Sequence, residues 1–160
     1  MGIAERFIEA FLTVYRDYKG KWGIVDVYAY RTQGKSIKAF ASLIININGI
    51  PRTINAYLFS TGKVMIISDV TPILRGKVNC NGSFTRATVD MYLPPEEYSI
   101  CISGGIEYSP NILIALTKDY GEERILLYSE VNQKLIDYNS LVKVLSEVKD
   151  TLIKLFTTRQ

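Results

Sequence analysis

Apolar residues open the chain at three- and four-residue steps: Ile3, Phe7, Ile8, Phe11, Leu12, Tyr15 and Tyr18. Glu5, Arg6, Glu9, Arg16 and Asp17 fall largely between them. That period predicts an amphipathic helix, with Gly20 as its stop. The same period returns at the end of the chain, where Leu141, Leu145, Val148, Leu152 and Leu155 are spaced four, three, four and three. Lys143, Glu147, Lys149, Asp150 and Lys154 cover the other side, and Asn139 or Ser140 is the expected cap.

Between the two helices the pattern changes to short runs rich in Val, Ile and Tyr, bounded by turn residues. Trp22 to Arg31 is the first such run, and a Thr-Gln-Gly-Lys turn follows it. Ile37 to Ile47 ends at Asn48-Gly49, a strong two-residue hairpin signal. Pro51 then opens a strand over Arg52 to Ser60, since proline is tolerated at a strand's first residue. Thr61-Gly62 turns the chain into Lys63 to Val70. Further strands are expected at Phe84 to Leu93, Tyr98 to Ser103, Asn111 to Thr117 and Arg124 to Glu130. The intervals are too short for helical crossovers, so the pairing should be antiparallel. The expected fold is a single α+β domain over 1–160. It has a mostly antiparallel sheet of about seven or eight strands, flanked by the N-terminal and C-terminal helices.

Composition narrows the function. The chain has 160 residues, 48% hydrophobic and 22% charged, which is ordinary globular material. It contains no histidine, so Ser-His-Asp and Cys-His catalysis and His-ligated zinc are excluded. Two cysteines, Cys80 and Cys101, are too few for a disulfide scaffold. The longest apolar runs, such as Ile112 to Leu116, fall far short of the roughly 20 residues of a spanning helix. The charged start does not read as a signal peptide, so a cytoplasmic location and no membrane partner are expected. Twenty Ile and 11 Tyr against 8 Ala give an archaeal or viral-like composition, of the kind an AT-rich genome writes.

Two segments resemble phosphate-binding motifs. Ala29-Tyr-Arg-Thr-Gln-Gly-Lys-Ser36 resembles the P-loop G-x-x-x-x-G-K-[ST], in which backbone amides and Lys hold phosphate and Ser holds magnesium. Gly34, Lys35 and Ser36 match, and Ala29 stands where the first glycine belongs. The resemblance implies a helix over Ser36 to Asn48, whereas the β-branched run Ile44 to Ile47 favours a strand. Cys80-Asn-Gly-Ser-Phe-Thr-Arg86 fits C-x5-R, and is similar to the anion loop of low-molecular-weight phosphatases and arsenate reductases. That likeness implies Cys80 as a thiolate nucleophile and Arg86 as the anion clamp. Ala87 follows Arg86 where that loop has Ser or Thr, and the segment before Cys80 is polar. Neither motif comes with the surrounding elements its chemistry needs. The chain therefore reads as non-catalytic, and no cofactor or metal is called for.

Charge adds a direction. Residues 19–86 hold ten Lys and Arg against two acids, whereas residues 91–160 hold seven against ten. Four aromatic residues, Trp22, Tyr28, Tyr30 and Tyr57, stand among the bases. Trp22, Tyr28 and Tyr30 are placed to stack bases, and Arg31, Lys35, Lys38 and Arg52 to meet phosphate, as single-strand binding requires. The leading expectation is a binding or assembly module that associates with a protein partner or with itself. The leucine stripe (Leu141, Leu145, Val148, Leu152 and Leu155) is then a candidate homodimer interface. A nucleic-acid-binding accessory protein is the first alternative, and a cysteine-based phosphate-handling enzyme through Cys80 and Arg86 the second.

Overall fold

The computed structural model describes residues 2–70, 84–87, 98–101, 113–119, 122–131 and 137–157. Contacts group the chain into two compact units, Met1–Ser68 with Glu130–Gln160, and Asp69–Ser129.

The first unit begins with helix α1, Ile3–Tyr18. Strands β1 (Ile24–Arg31), β2 (Ile37–Ile47), β3 (Ile50–Phe59) and β4 (Val64–Asp69) follow as an antiparallel meander. Helix α2, Tyr138–Thr157, completes it. The β2–β3 hairpin turns at Asn48 and Gly49, both at positive φ (53° and 82°), a conformation that these two residue types adopt most readily. The Asn46 side chain accepts a hydrogen bond from the Gly49 amide at 2.8 Å and closes the turn. Pro51 lies inside β3, opposite Asn46, so the strand starts one residue before it rather than after it.

One face of this sheet is dry. Ala39, Ala41, Leu43, Ile45 and Ile47 of β2 alternate inward, as do Ile54, Ala56 and Leu58 of β3, and Val64 and Ile66 of β4; all are buried. Helix α1 lies against β1 and β2 and presents Phe7, Phe11 and Val14. Register places Ala29, Ala41 and Ala56 side by side across three strands. With only a methyl group at each, the floor of the sheet is low there. Helix α2 covers the same face: its Phe156 ring takes the Arg52 guanidinium of β3, and Arg52 is opposite the inward-facing Ile45. Each large side chain buried here stabilises the fold by about 1.5–3 kcal/mol over leaving it exposed.

The start of α2 corrects the expected cap. Asp137 holds the helix N-terminus, its carboxylate accepting from the Asn139 amide at 2.9 Å and from the Ser140 hydroxyl at 2.6 Å. A carboxylate two residues before Asn139 satisfies the orphan amides of the first turn and suits the positive end of the helix dipole.

Further along the chain, β5 (Phe84–Ala87), β6 (Tyr98–Cys101), β7 (Leu113–Asp119) and β8 (Glu122–Val131) pair in sequence order, all antiparallel. The expected outer residues of the strands at Phe84 to Leu93 and Tyr98 to Ser103 lie partly outside the described residues.

The fold is thus α+β with N- and C-terminal helices, and the first unit holds an antiparallel sheet of four strands. Local turn signals count strands well. They do not say which strands close around a common core, because that depends on contacts distant in sequence. Residues 37–47 form strand β2, so the helix that the P-loop resemblance implies is absent, and Lys35 and Ser36 belong to an antiparallel hairpin connection.

Candidate functional site

The alternation that buries one face of β1–β4 assigns the opposite residues to a second face. Register aligns them in rows. Tyr30 stands opposite Phe40, Phe40 opposite Tyr57, and Tyr57 opposite Met65. The rings touch along this row, Tyr30 to Phe40 at 5.4 Å between centroids and Phe40 to Tyr57 at 5.1 Å, both tilted. Such tilted pairs add about 0.5–1.5 kcal/mol beyond the area they bury. The neighbouring row is Tyr28, Ser42, Asn55 and Ile67, tied by a 2.7 Å hydrogen bond from the Ser42 hydroxyl to the Asn55 side-chain oxygen. Exposure falls from the β1 margin inward: Tyr28 and Tyr30 are each 54% exposed, Phe40 and Tyr57 are half-buried, and Met65 is 2% exposed.

At that margin the backbone is also available. Among the described residues β1 pairs with β2 alone and stands last in the strand order. The Thr32 amide donates to the Lys38 carbonyl. In an antiparallel ladder every second residue bonds the neighbouring strand, so Tyr30, Tyr28 and Asp26 face β2. Arg31, Ala29 and Val27 turn their N–H and C=O groups the other way. The Val27 amide bears this out, donating at 2.8 Å to the carboxylate of its own neighbour Asp26. The same carboxylate takes the Tyr28 hydroxyl, and that bond, with the negative charge beside it, raises the phenol above its usual pKa. A bulge between Ile24 and Asp26 leaves Val25 52% exposed at the strand's start. Bulges and acids of this kind are how sheets blunt an edge. Here they occupy only the first half of β1.

The seven residues singled out for nucleic-acid contact are divided among several places. Tyr28 and Tyr30 share the second face. By alternation Lys38 joins them, and Lys35 is exposed in the connection between β1 and β2. Arg31 is on the helix-covered face and bonds Glu5 of α1. Arg52 is on that face too, its charge 4.1 Å from the Phe156 ring centroid and its buried Nε without a partner. Trp22 stacks on Tyr18 at 4.2 Å and carries the Lys149 ammonium 5.0 Å from its centroid, joining the end of α1 to α2. Leu141, Leu145, Val148, Leu152 and Leu155 are all buried within the chain itself. Cys80 lies outside the described residues, and Arg86 is in β5, opposite Ser99.

Sequence reasoning named Tyr57 among the aromatics of the basic segment but missed Phe40, Ser42 and Asn55, which share its surface. Their signal was present. Counting back from the two-residue Asn48-Gly49 turn sets Phe40 against Tyr57 and Ser42 against Asn55, as observed. Among the described residues, no group of three or more Cys, Asp and Glu is placed to hold a metal, and no helix is long and apolar enough to cross a membrane. No protein-family model, no curated protein and no solved structure matches this chain.

Proposed function

We propose that the protein is a non-catalytic association module that works through the β1 margin of its first sheet, as a homodimer or as a subunit of a larger assembly. The observation that carries this reading is the pair Tyr28 and Tyr30. They are each 54% exposed, Tyr30 at the outer end of a row of touching rings and Tyr28 at the outer end of the row beside it. Tyrosine offers large contact area with few rotatable bonds, and a hydroxyl that tolerates both water and a partner. That is why it is enriched at interfaces. Phe40 and Tyr57 behind Tyr30 hold its ring in place before any partner arrives.

The same placement favours a protein partner over a nucleic acid. Single-strand binding needs rings and cations on one groove. Here Arg31 is engaged by Glu5, Arg52 by Phe156, and Trp22 by Tyr18 and Lys149. The test is the Tyr28→Lys/Tyr30→Lys double variant. Lysine on an edge strand is compatible with the fold but opposes association. The wild type should grow in mass with concentration by light scattering, and the double variant should stay monomeric with unchanged circular dichroism. A wild type that is monomeric throughout, or a double variant that associates like the wild type, overturns the reading.

A further inference from the structure

We infer that the partner at this margin is a second copy of the same chain, its β1 added antiparallel to the first about a twofold axis through Ala29. The inference rests on the association reading above and assigns it an occupant and a register.

The outward-facing backbone groups limit the choice and the rings decide it: an axis through Tyr28 or Tyr30 also matches outward groups, but it sets one pair of rings together where an axis through Ala29 sets two. A new strand can bond only to Val27, Ala29 and Arg31, the residues that β2 leaves free. A twofold axis through Ala29 pairs Ala29 with its own copy and Val27 with Arg31 of the second copy. Every outward donor then meets an outward acceptor. The Val27 amide exchanges its bond to Asp26 for one to the Arg31 carbonyl of the second copy, and Asp26 keeps the Tyr28 hydroxyl. The residues between are the closely spaced, non-hydrogen-bonded pairs, where side chains pack best. In this register those pairs are Tyr28 with Tyr30 of the second copy, and the reverse. The row of rings Tyr57, Phe40 and Tyr30 continues across the axis onto Tyr28 of the second copy, at the head of the Ser42 and Asn55 row, and both exposed tyrosines of each copy are covered.

Charge selects the same arrangement. β1 carries an acid near its start, Asp26, and a base at its end, Arg31. Antiparallel addition sets unlike ends together, whereas parallel addition sets like against like. With the axis at Ala29, Asp26 comes beside Thr32 of the second copy, whose next neighbour in the row is Lys38. Moving the axis to Arg31 brings two guanidinium groups together. Moving it to Val27 sets Tyr28 against Asp26 and Tyr30 against Ile24, and no ring meets a ring. A foreign strand would share the backbone bonds but has no reason to present tyrosines and opposite charges in this order.

Proline at residue 29 separates the edge from the face. The Ala29 amide is not used by β2, and proline is tolerated on an edge strand where its missing N–H faces outward. Ala29→Pro should therefore keep the monomer's circular dichroism and weaken dimerisation at least tenfold in sedimentation equilibrium. Ala29→Cys should give an intermolecular disulfide that peptide mapping locates between the two copies of residue 29. This second variant decides the matter if the proline disturbs folding. A dimer lost in Tyr28→Lys/Tyr30→Lys but retained in Ala29→Pro, with no disulfide between residues 29, overturns the strand pairing and leaves the tyrosine surface standing. A wild type that never dimerises overturns both.

Discussion

Asp137 shows how one side chain carries an element's start. Its carboxyl sits below the usual carboxylate pKa, chiefly because the Ser140 hydroxyl donates to it and the Ser140 and Asn139 amides add to that. A carboxylate held below its unfolded value stabilises the fold above about pH 3.9, and that contribution is lost as pH falls through the lower folded value. Asp137→Ala should lower the melting temperature at neutral pH, and its gap to the wild type should close as both are titrated to about pH 2. A gap independent of pH would remove the charge from the explanation. Ala41 is the complementary case, a residue important for what it lacks. It is fully buried between Ala29 and Ala56, under the helices. Ala41→Leu inserts three carbons where the floor must be low, and should destabilise by about 1–3 kcal/mol in urea unfolding, with the midpoint moving and the slope unchanged.

At the scale of elements, both terminal helices and the first strands were legible, because each carries its own period and its own punctuation. Ile37–Ile47 ends at Asn-Gly, and the helix of residues 138–157 is marked by its leucines. Two things were not legible. The cap of the last helix was read as Asn139 or Ser140, because a capping side chain is identified by which amides it reaches, and Asp137 reaches both. The shared face of Tyr28, Tyr30, Phe40 and Tyr57 needed two registers. The β2–β3 register next to the turn follows from its two residues, but β1–β2 is joined by a longer connection and shifted by a bulge between Ile24 and Asp26. The leucine stripe was legible as a stripe. Its burial inside the chain rather than between chains depends on α1 and the sheet being there to receive it, which no local pattern states.

For the molecule as a whole, the absence of histidine and the division of charge along the chain narrowed the reading to association, and the exposed margin of the first sheet gives that reading a place. Antiparallel addition at β1 has a signature that needs no substitution. Residue-resolved amide hydrogen exchange of the wild type at rising protein concentration reads it directly. Amides of Tyr28 and Tyr30 already bond β2 and should be protected throughout. Amides of Val27, Ala29 and Arg31 face outward, so they should exchange quickly in dilute solution and gain protection as the concentration rises. Exchange at these three residues that stays fast at every concentration, while the protein nonetheless dimerises, would contradict the account.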